Sequence, residues 1–195
     1  MNLDKVNCIG IIGDRHTAKT NLMFDALFKY KGDKKIYLYG YPKKFKGFGQ
    51  VNSLNELSTI TNSIIAMDEL QKHIKVYDKA TNCMFIELLS TMAHQGNVIV
   101  FTTQLTQFIT KALDGFIDGF LYTRISDLAQ LKNGSKIKRR LAEFSCPEKN
   151  KWSLNLRNGE YVEIIDYNPI GHNGKKSFKN RNIGKDWRIE TLKKS

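Results

Sequence analysis

The run Val6-Asn7-Cys8-Ile9-Gly10-Ile11-Ile12-Gly13-Asp14-Arg15-His16-Thr17-Ala18-Lys19-Thr20 decides the fold. From Val6 to Ile12 it is nearly all apolar. Such a run suits a strand covered on both faces, as in a parallel sheet, because neither face meets water. Residues Gly13 to Thr20 then follow the pattern G-x-x-x-x-G-K-[ST], with Ala18 in place of the second glycine. That pattern curls backbone N–H groups around phosphates, sends a lysine to the β and γ oxygens and places a hydroxyl on Mg²⁺. A helix opening at Lys19 adds the positive end of its dipole.

On this reading Gly13, Asp14, Arg15, His16, Thr17, Ala18, Lys19 and Thr20 bind the nucleotide, with Lys19 and Thr20 in the two side-chain roles. The methyl of Ala18 is expected to keep that residue away from positive φ. Eight residues alone would also fit a glycine-ended strand with a helix-capping threonine. The setting, apolar strand before and amphipathic helix after, is what the phosphate-binding mechanism requires. Leu22, Met23, Ala26 and Leu27 mark one face of that helix.

Further strands are expected over Lys35–Tyr39, Ser63–Met67, Asn97–Thr102 and Gly119–Tyr122. Between them Met84, Phe85, Leu88, Leu89 and Met92 recur at helical spacing, and Gly96 closes the pattern. Strands alternating with helices predict an α/β fold, a mainly parallel central sheet flanked by helices. After Arg124 the pattern changes. Trp152–Leu156 and Tyr161–Ile165 flank Asn158-Gly159, a turn pair suited to a hairpin. We expect one P-loop domain over residues 1–167 with a C-terminal β-hairpin appendage. A basic tail over 168–195 is expected to gain order only on binding.

The strand Ser63–Met67 ends in Asp68-Glu69. Paired carboxylates at the carboxyl edge of an α/β sheet stand where ligands bind. Beside a phosphate loop, Asp68 would hold Mg²⁺ with Thr20, and Glu69 would polarise the attacking water. Alone, an Asp-Glu pair often just begins a solvated helix; the loop about fifty residues upstream argues for chemistry. Val98-Ile99-Val100-Phe101-Thr102-Thr103-Gln104 is a second apolar strand with a polar end. It places Gln104 near the γ-phosphate, where it could report hydrolysis; a helix-capping glutamine is the plainer alternative. The four histidines lack metal-ligand spacing, and His94 reads as structural.

The chain has 195 residues and a net charge of +12. From Lys132 onward, sixteen Lys and Arg face seven Asp and Glu. This excess suits a polyanion through counterion release; a basic surface serving solubility, or an acidic membrane, would also produce it. Lys136, Lys138, Arg139, Arg140, Lys175 and Lys176 are the candidate phosphate contacts. No apolar run approaches the roughly 18 residues of a membrane span, and the first residues lack a signal-peptide pattern. Three well-separated cysteines, Cys8, Cys83 and Cys146, support neither a zinc site nor a disulfide framework. A reducing, cytoplasmic setting is expected.

The order of motifs resembles the FtsK–HerA superfamily of DNA-pumping ATPases. Within it, the resemblance is to the small genome-packaging ATPases of turreted icosahedral archaeal viruses and other membrane-containing viruses. It covers roughly Val6 to Leu131 and includes Met92-Ala93-His94-Gln95-Gly96 and Phe120-Leu121-Tyr122-Thr123-Arg124. Arg15 inside the loop matches many viral packaging motors. Ala93 departs, because those packaging ATPases tend to carry Arg before the His. The resemblance implies a Mg²⁺-dependent ATPase that moves double-stranded DNA into a viral capsid. It also implies a homo-oligomeric ring, in which an Arg completes a neighbour's site, and a capsid or portal-vertex partner. Arg124 is the first candidate for that Arg, with Arg139 and Arg140 behind it. Such a protein would work in the host cytoplasm or on the virion. Three rivals stand beside it: an ATPase of phage export or conjugation, a nucleic-acid-binding nucleotide switch with little turnover, and a metabolic P-loop kinase.

Overall fold

A computed structural model of the chain describes residues 3–73, 79–104, 116–123, 160–166 and 176–182; for 79–82, 84, 160–166 and 176–182 it describes the backbone alone. Among the described residues eight strands form one sheet. They are β1 (Cys8–Ile12), β2 (Lys35–Tyr39), β3 (Gly49–Val51), β4 (Ser63–Met67), β5 (Val98–Thr103), β6 (Gly119–Tyr122), β7 (Glu160–Asp166) and β8 (Lys176–Asn182). The spatial order is β3-β2-β4-β5-β1-β6-β7-β8. The first six strands run parallel. β7 joins β6 antiparallel and pairs with β8 antiparallel, so a C-terminal strand pair extends the sheet.

The four central strands are buried along their whole length. Their side chains divide by the two-residue period of a strand. Ile9, Ile11, Ile64, Ala66, Val98 and Val100 share one core with Leu22, Met23, Phe24 and Leu27 of α1 (Lys19–Phe28). Ile12, Ile65, Met67, Ile99 and Phe101 share the other with Phe85, Leu88, Leu89 and Met92. Those four belong to the next long helix, which follows α2 (Leu54–Leu57) and is labelled α3 (Lys79–His94). The sheet is thus covered on both faces, as its unbroken apolar runs require. Gly10 sits where a Cβ would come within 2.9 Å of Phe101 and 3.0 Å of Phe120.

Gly96 (φ 72°) ends α3 by donating to Ala93 O at 3.1 Å, while Asn97 N–H reaches Met92 O at 2.9 Å. These two bonds satisfy carbonyls that the helix end leaves open. The buried Asn97 amide then ties the next strand to its neighbour. Its Oδ1 accepts from Ser63 N–H at 2.9 Å and its Nδ2 donates to Ile60 O at 2.6 Å. The expected strand Trp152–Leu156 lies outside the described residues; Tyr161–Ile165 falls within β7. Among the described residues no helix is long and apolar enough to cross a membrane.

Candidate functional site

Because β1, β5 and β4 are adjacent and parallel, their carboxyl ends open onto the same edge. The phosphate loop follows β1, Asp68-Glu69 follows β4, and between them Thr102 and Thr103 end β5, with Gln104 just beyond. A cleft of about 780 Å³ lies over this edge. Arg15, Lys19 and Thr20 line one wall, and Asp68, Glu69 and Gln104 line the other. The fifth strand matters here: it places polar residues between the loop and the carboxylates.

The loop is held from beneath. Thr17 Oγ1 donates to Asp14 O at 2.8 Å and stands 2.7 Å from Thr123 Oγ1. Thr123 N–H in turn donates to Ile12 O at 2.8 Å. These buried threonines leave no room at Gly13, where a Cβ would meet Thr123 Oγ1 at 1.8 Å. Lys19, itself buried, donates from Nζ to Asp14 O at 2.5 Å. Burial pushes the Lys19 ammonium below its ordinary pKa, and the charges of Asp68, Glu69 and Asp14 oppose the shift.

Ala18 corrects one expectation. It does not avoid positive φ; it sits at φ 63°, ψ 23°, in the left-handed region, as the residue from which α1 starts. Its carbonyl accepts from Leu22 N–H at 2.8 Å, so the first helical turn fixes it there. His16 has φ 59°. Closing the loop onto the helix outweighs a local cost of roughly 1–2 kcal/mol for each such residue.

Across the cleft, Asp68 Oδ1 accepts from Thr20 Oγ1 at 2.9 Å and from Thr102 Oγ1 at 2.6 Å. Thr102 Oγ1 also accepts from Glu69 N–H at 2.8 Å. A hydroxyl and a carboxylate this close are hard oxygen donors that fit Mg²⁺, which takes few protein ligands and leaves positions for phosphate oxygens and water. Among the described residues no group of three or more His, Cys, Asp or Glu that could hold a metal ion forms, so the Thr20–Asp68 pair would leave most of the ion's positions to phosphate and water.

Glu69 has φ 53°, which turns the chain out of β4 into the 3₁₀ turn Leu70–Lys72. Its Oε1 accepts from Gln104 Nε2 at 3.1 Å, and Gln104 Oε1 accepts from Arg15 Nε at 3.2 Å. Its other oxygen pairs with Lys72. The Lys72 ammonium holds the Glu69 carboxyl below its ordinary pKa; partial burial opposes this, and Gln104 and Lys19 assist. Arg15, Gln104 and Glu69 thus form a hydrogen-bonded chain from the phosphate loop to the second carboxylate.

The structure brings together Lys19, Thr20, Asp68, Glu69, Gln104 and Arg15. Arg124, Lys136, Lys138, Arg139, Arg140 and Lys175 lie outside the described residues. Lys176 begins β8, opposite Asp166. Thr102, Thr123 and Lys72 were not singled out from the sequence. Thr102 carried a signal in being the first polar residue of an apolar strand, and Lys72 in its i+3 spacing from Glu69. Thr123 stands in the Phe120–Arg124 stretch that carries the resemblance, but its contact with Thr17, 106 residues away, has no local signal.

No known family's sequence profile matches the chain, and no curated protein does. Solved structures do. The genome-packaging NTPase B204 of Sulfolobus turreted icosahedral virus 2, solved with AMPPCP, superposes with a TM-score of 0.61 at 14% identity; the match covers 93% of this chain and 100% of that one. The fold is that of a P-loop NTPase. B204 of Sulfolobus turreted icosahedral virus, a DNA-packaging ATPase, gives 0.60 at 16% identity, over 94% of this chain and 100% of that one. The N-terminal domain of zonular occludens toxin from Neisseria meningitidis gives 0.55 at 13% identity, over 94% and 97%. The expected P-loop fold with a mainly parallel sheet therefore stands.

Proposed function

We propose that this chain is a Mg²⁺-dependent ATPase that translocates double-stranded DNA, working as a homo-oligomeric motor that packages a viral genome. The observation that carries the ATPase reading is the convergence, on one cleft, of Lys19 and Thr20 with Asp68, Glu69 and Gln104. Each group then has a task. Lys19 pairs with β and γ oxygens once it leaves the Asp14 carbonyl. Thr20 and Asp68 hold Mg²⁺, which neutralises charge on the phosphate oxygens when bound. Glu69 accepts a proton from the attacking water, and Gln104 orients that water or senses its loss. Arg124, from a neighbouring subunit, is the first candidate to stabilise the transition state.

The likeness to viral packaging NTPases and the +12 charge support the DNA and packaging part of the reading. A capsid or portal-vertex protein is the partner, and the host cytoplasm or the virion the place of work. ATP turnover with and without duplex DNA, at two salt concentrations, tests it. Stimulation by DNA that fades with salt, and loss of turnover in Lys19→Ala, are expected. Turnover in Lys19→Ala equal to that of the parent chain overturns the site.

A second reading has one observation in its favour. The left-handed Ala18 strains the loop, which suits a nucleotide-dependent switch that binds DNA and turns over slowly. Tight nucleotide binding with no DNA-stimulated turnover would favour it.

A further inference from the structure

The connection from β2 to β3, residues 40–48, is built with two unlike sides. Both strands are parallel, so the connection must run back along the sheet, and it does so over α1. Its aromatic residues face the helix. Tyr41 meets Phe24 edge-on with ring centroids 5.6 Å apart, Phe45 lies 5.1 Å from Phe24, and Phe48 lies 5.1 Å from Phe28. Two polar bonds secure its ends: Gly40 N–H donates to Val51 O at 2.9 Å, and Gln50 Nε2 to Tyr41 O at 2.6 Å.

With the aromatics turned inward, Lys43, Lys44 and Lys46 stand exposed on the outer side. No described carboxylate pairs with any of them. The sequence around them is one-signed: between Asp33 and Glu56 there are five lysines and no acid. Held on a packed aromatic seam, the three lysines form a cationic surface that no described carboxylate compensates. Its natural counterpart is a regularly charged polyanion, whose counterions binding would release.

The seam also has a position. Tyr41 lines the nucleotide cleft, and Phe24 and Phe28 belong to the helix that begins with Lys19 and Thr20. A partner seated on the lysines would therefore contact a loop packed directly on the helix that carries the phosphate-binding groups. We infer that Lys43, Lys44 and Lys46 form a contact surface for the backbone of duplex DNA, coupled to the ATP site through the packing of Tyr41, Phe45 and Phe48 on α1. This rests on the DNA-translocase reading and adds a surface that the basic C-terminal residues do not include.

The test compares the parent chain with Lys43→Gln/Lys44→Gln/Lys46→Gln, the matching triple Arg variant, and Lys136→Gln/Lys138→Gln/Arg139→Gln/Arg140→Gln. Binding of a fluorescent 30-base-pair duplex is followed across salt concentrations, together with ATP turnover. The Gln triple is expected to lose about tenfold or more in affinity and to shallow the slope of log K against log salt by about 2–3. DNA stimulation of turnover should fall with it, at unchanged basal turnover, and the Arg triple should keep both. Parent and Gln triple binding alike, with the loss confined to the 136–140 variant, overturns this surface and leaves the translocase reading intact. No duplex binding by the parent chain overturns the reading itself.

Discussion

Thr102 Oγ1 donates to Asp68 Oδ1 at 2.6 Å while accepting the backbone N–H of Glu69 at 2.8 Å. One hydroxyl therefore holds the carboxylate of Asp68 and the backbone of Glu69, the two residues that follow β4. Thr102→Val keeps the shape and removes the hydroxyl, leaving the Glu69 N–H without its partner. ATP turnover should fall about 10–100-fold, the usual cost of losing a group that orients a metal-site ligand. The loss should appear chiefly as a higher Mg²⁺ concentration for half-maximal turnover in a metal titration, and Thr102→Ser should retain most activity.

Gly13 is set by Thr123. A methyl there would lie 1.8 Å from Thr123 Oγ1 and 2.8 Å from Thr17 Oγ1. Gly13→Ala should cost about 1–3 kcal/mol through overpacking. Thermal melting checks this. Thr123→Ala in the same chain should recover part of the loss, since the nearest atom is then gone.

Ala18 pays for the loop's shape in backbone strain, so Ala18→Gly should stabilise. Relief of a left-handed alanine is worth roughly 1–2 kcal/mol, and the freer unfolded glycine returns about 0.4–1. The net gain of up to about 1.6 kcal/mol should raise Tm by up to about 6 °C. A fall in Tm would show that the methyl makes compensating contacts.

The cysteines should differ sharply in reactivity. Cys83 is exposed, whereas Cys8 is buried in β1, and burial, with Asp118 nearby, pushes its thiol far above the ordinary value of 9.0. A protonated thiol is a poor nucleophile. In a Cys146→Ser background, a disulfide reagent at pH 8 should titrate one thiol in the folded chain and a second only in denaturant. The same shift has a sign for stability: it contributes fully below the unfolded pKa. Stability should then decline as pH rises past about 9, where the unfolded thiol ionises and the folded one does not.

The sheet was legible because its centre is chemically extreme. The unbroken apolar runs of β1, β4 and β5 admit no solvent-facing side, and Asp68-Glu69 breaks its run at the edge where ligands bind. β3 was missed: three residues opening with glycine carry no pattern, and its place depends on pairing Gly49 with Tyr37. Ala18 departs from its local preference because loop closure onto α1 overrides it. The Thr17–Thr123 contact joins residues 106 apart, beyond any local pattern. Gln104 was placed near the phosphates for a general reason, while its bonds to Glu69 and Arg15 needed three dimensions.

The proposed chemistry turns on Glu69, which activates water in a cleft where Lys19, Thr20 and Asp68 hold MgATP. Single-turnover hydrolysis of ATP by Glu69→Gln, beside the parent chain and at saturating enzyme, tests it most directly. Hydrolysis should slow about 10²–10⁴-fold, the range for loss of a general base, with nucleotide affinity kept within a few-fold. Hydrolysis at the parent rate, with ATP bound equally well, would contradict the account.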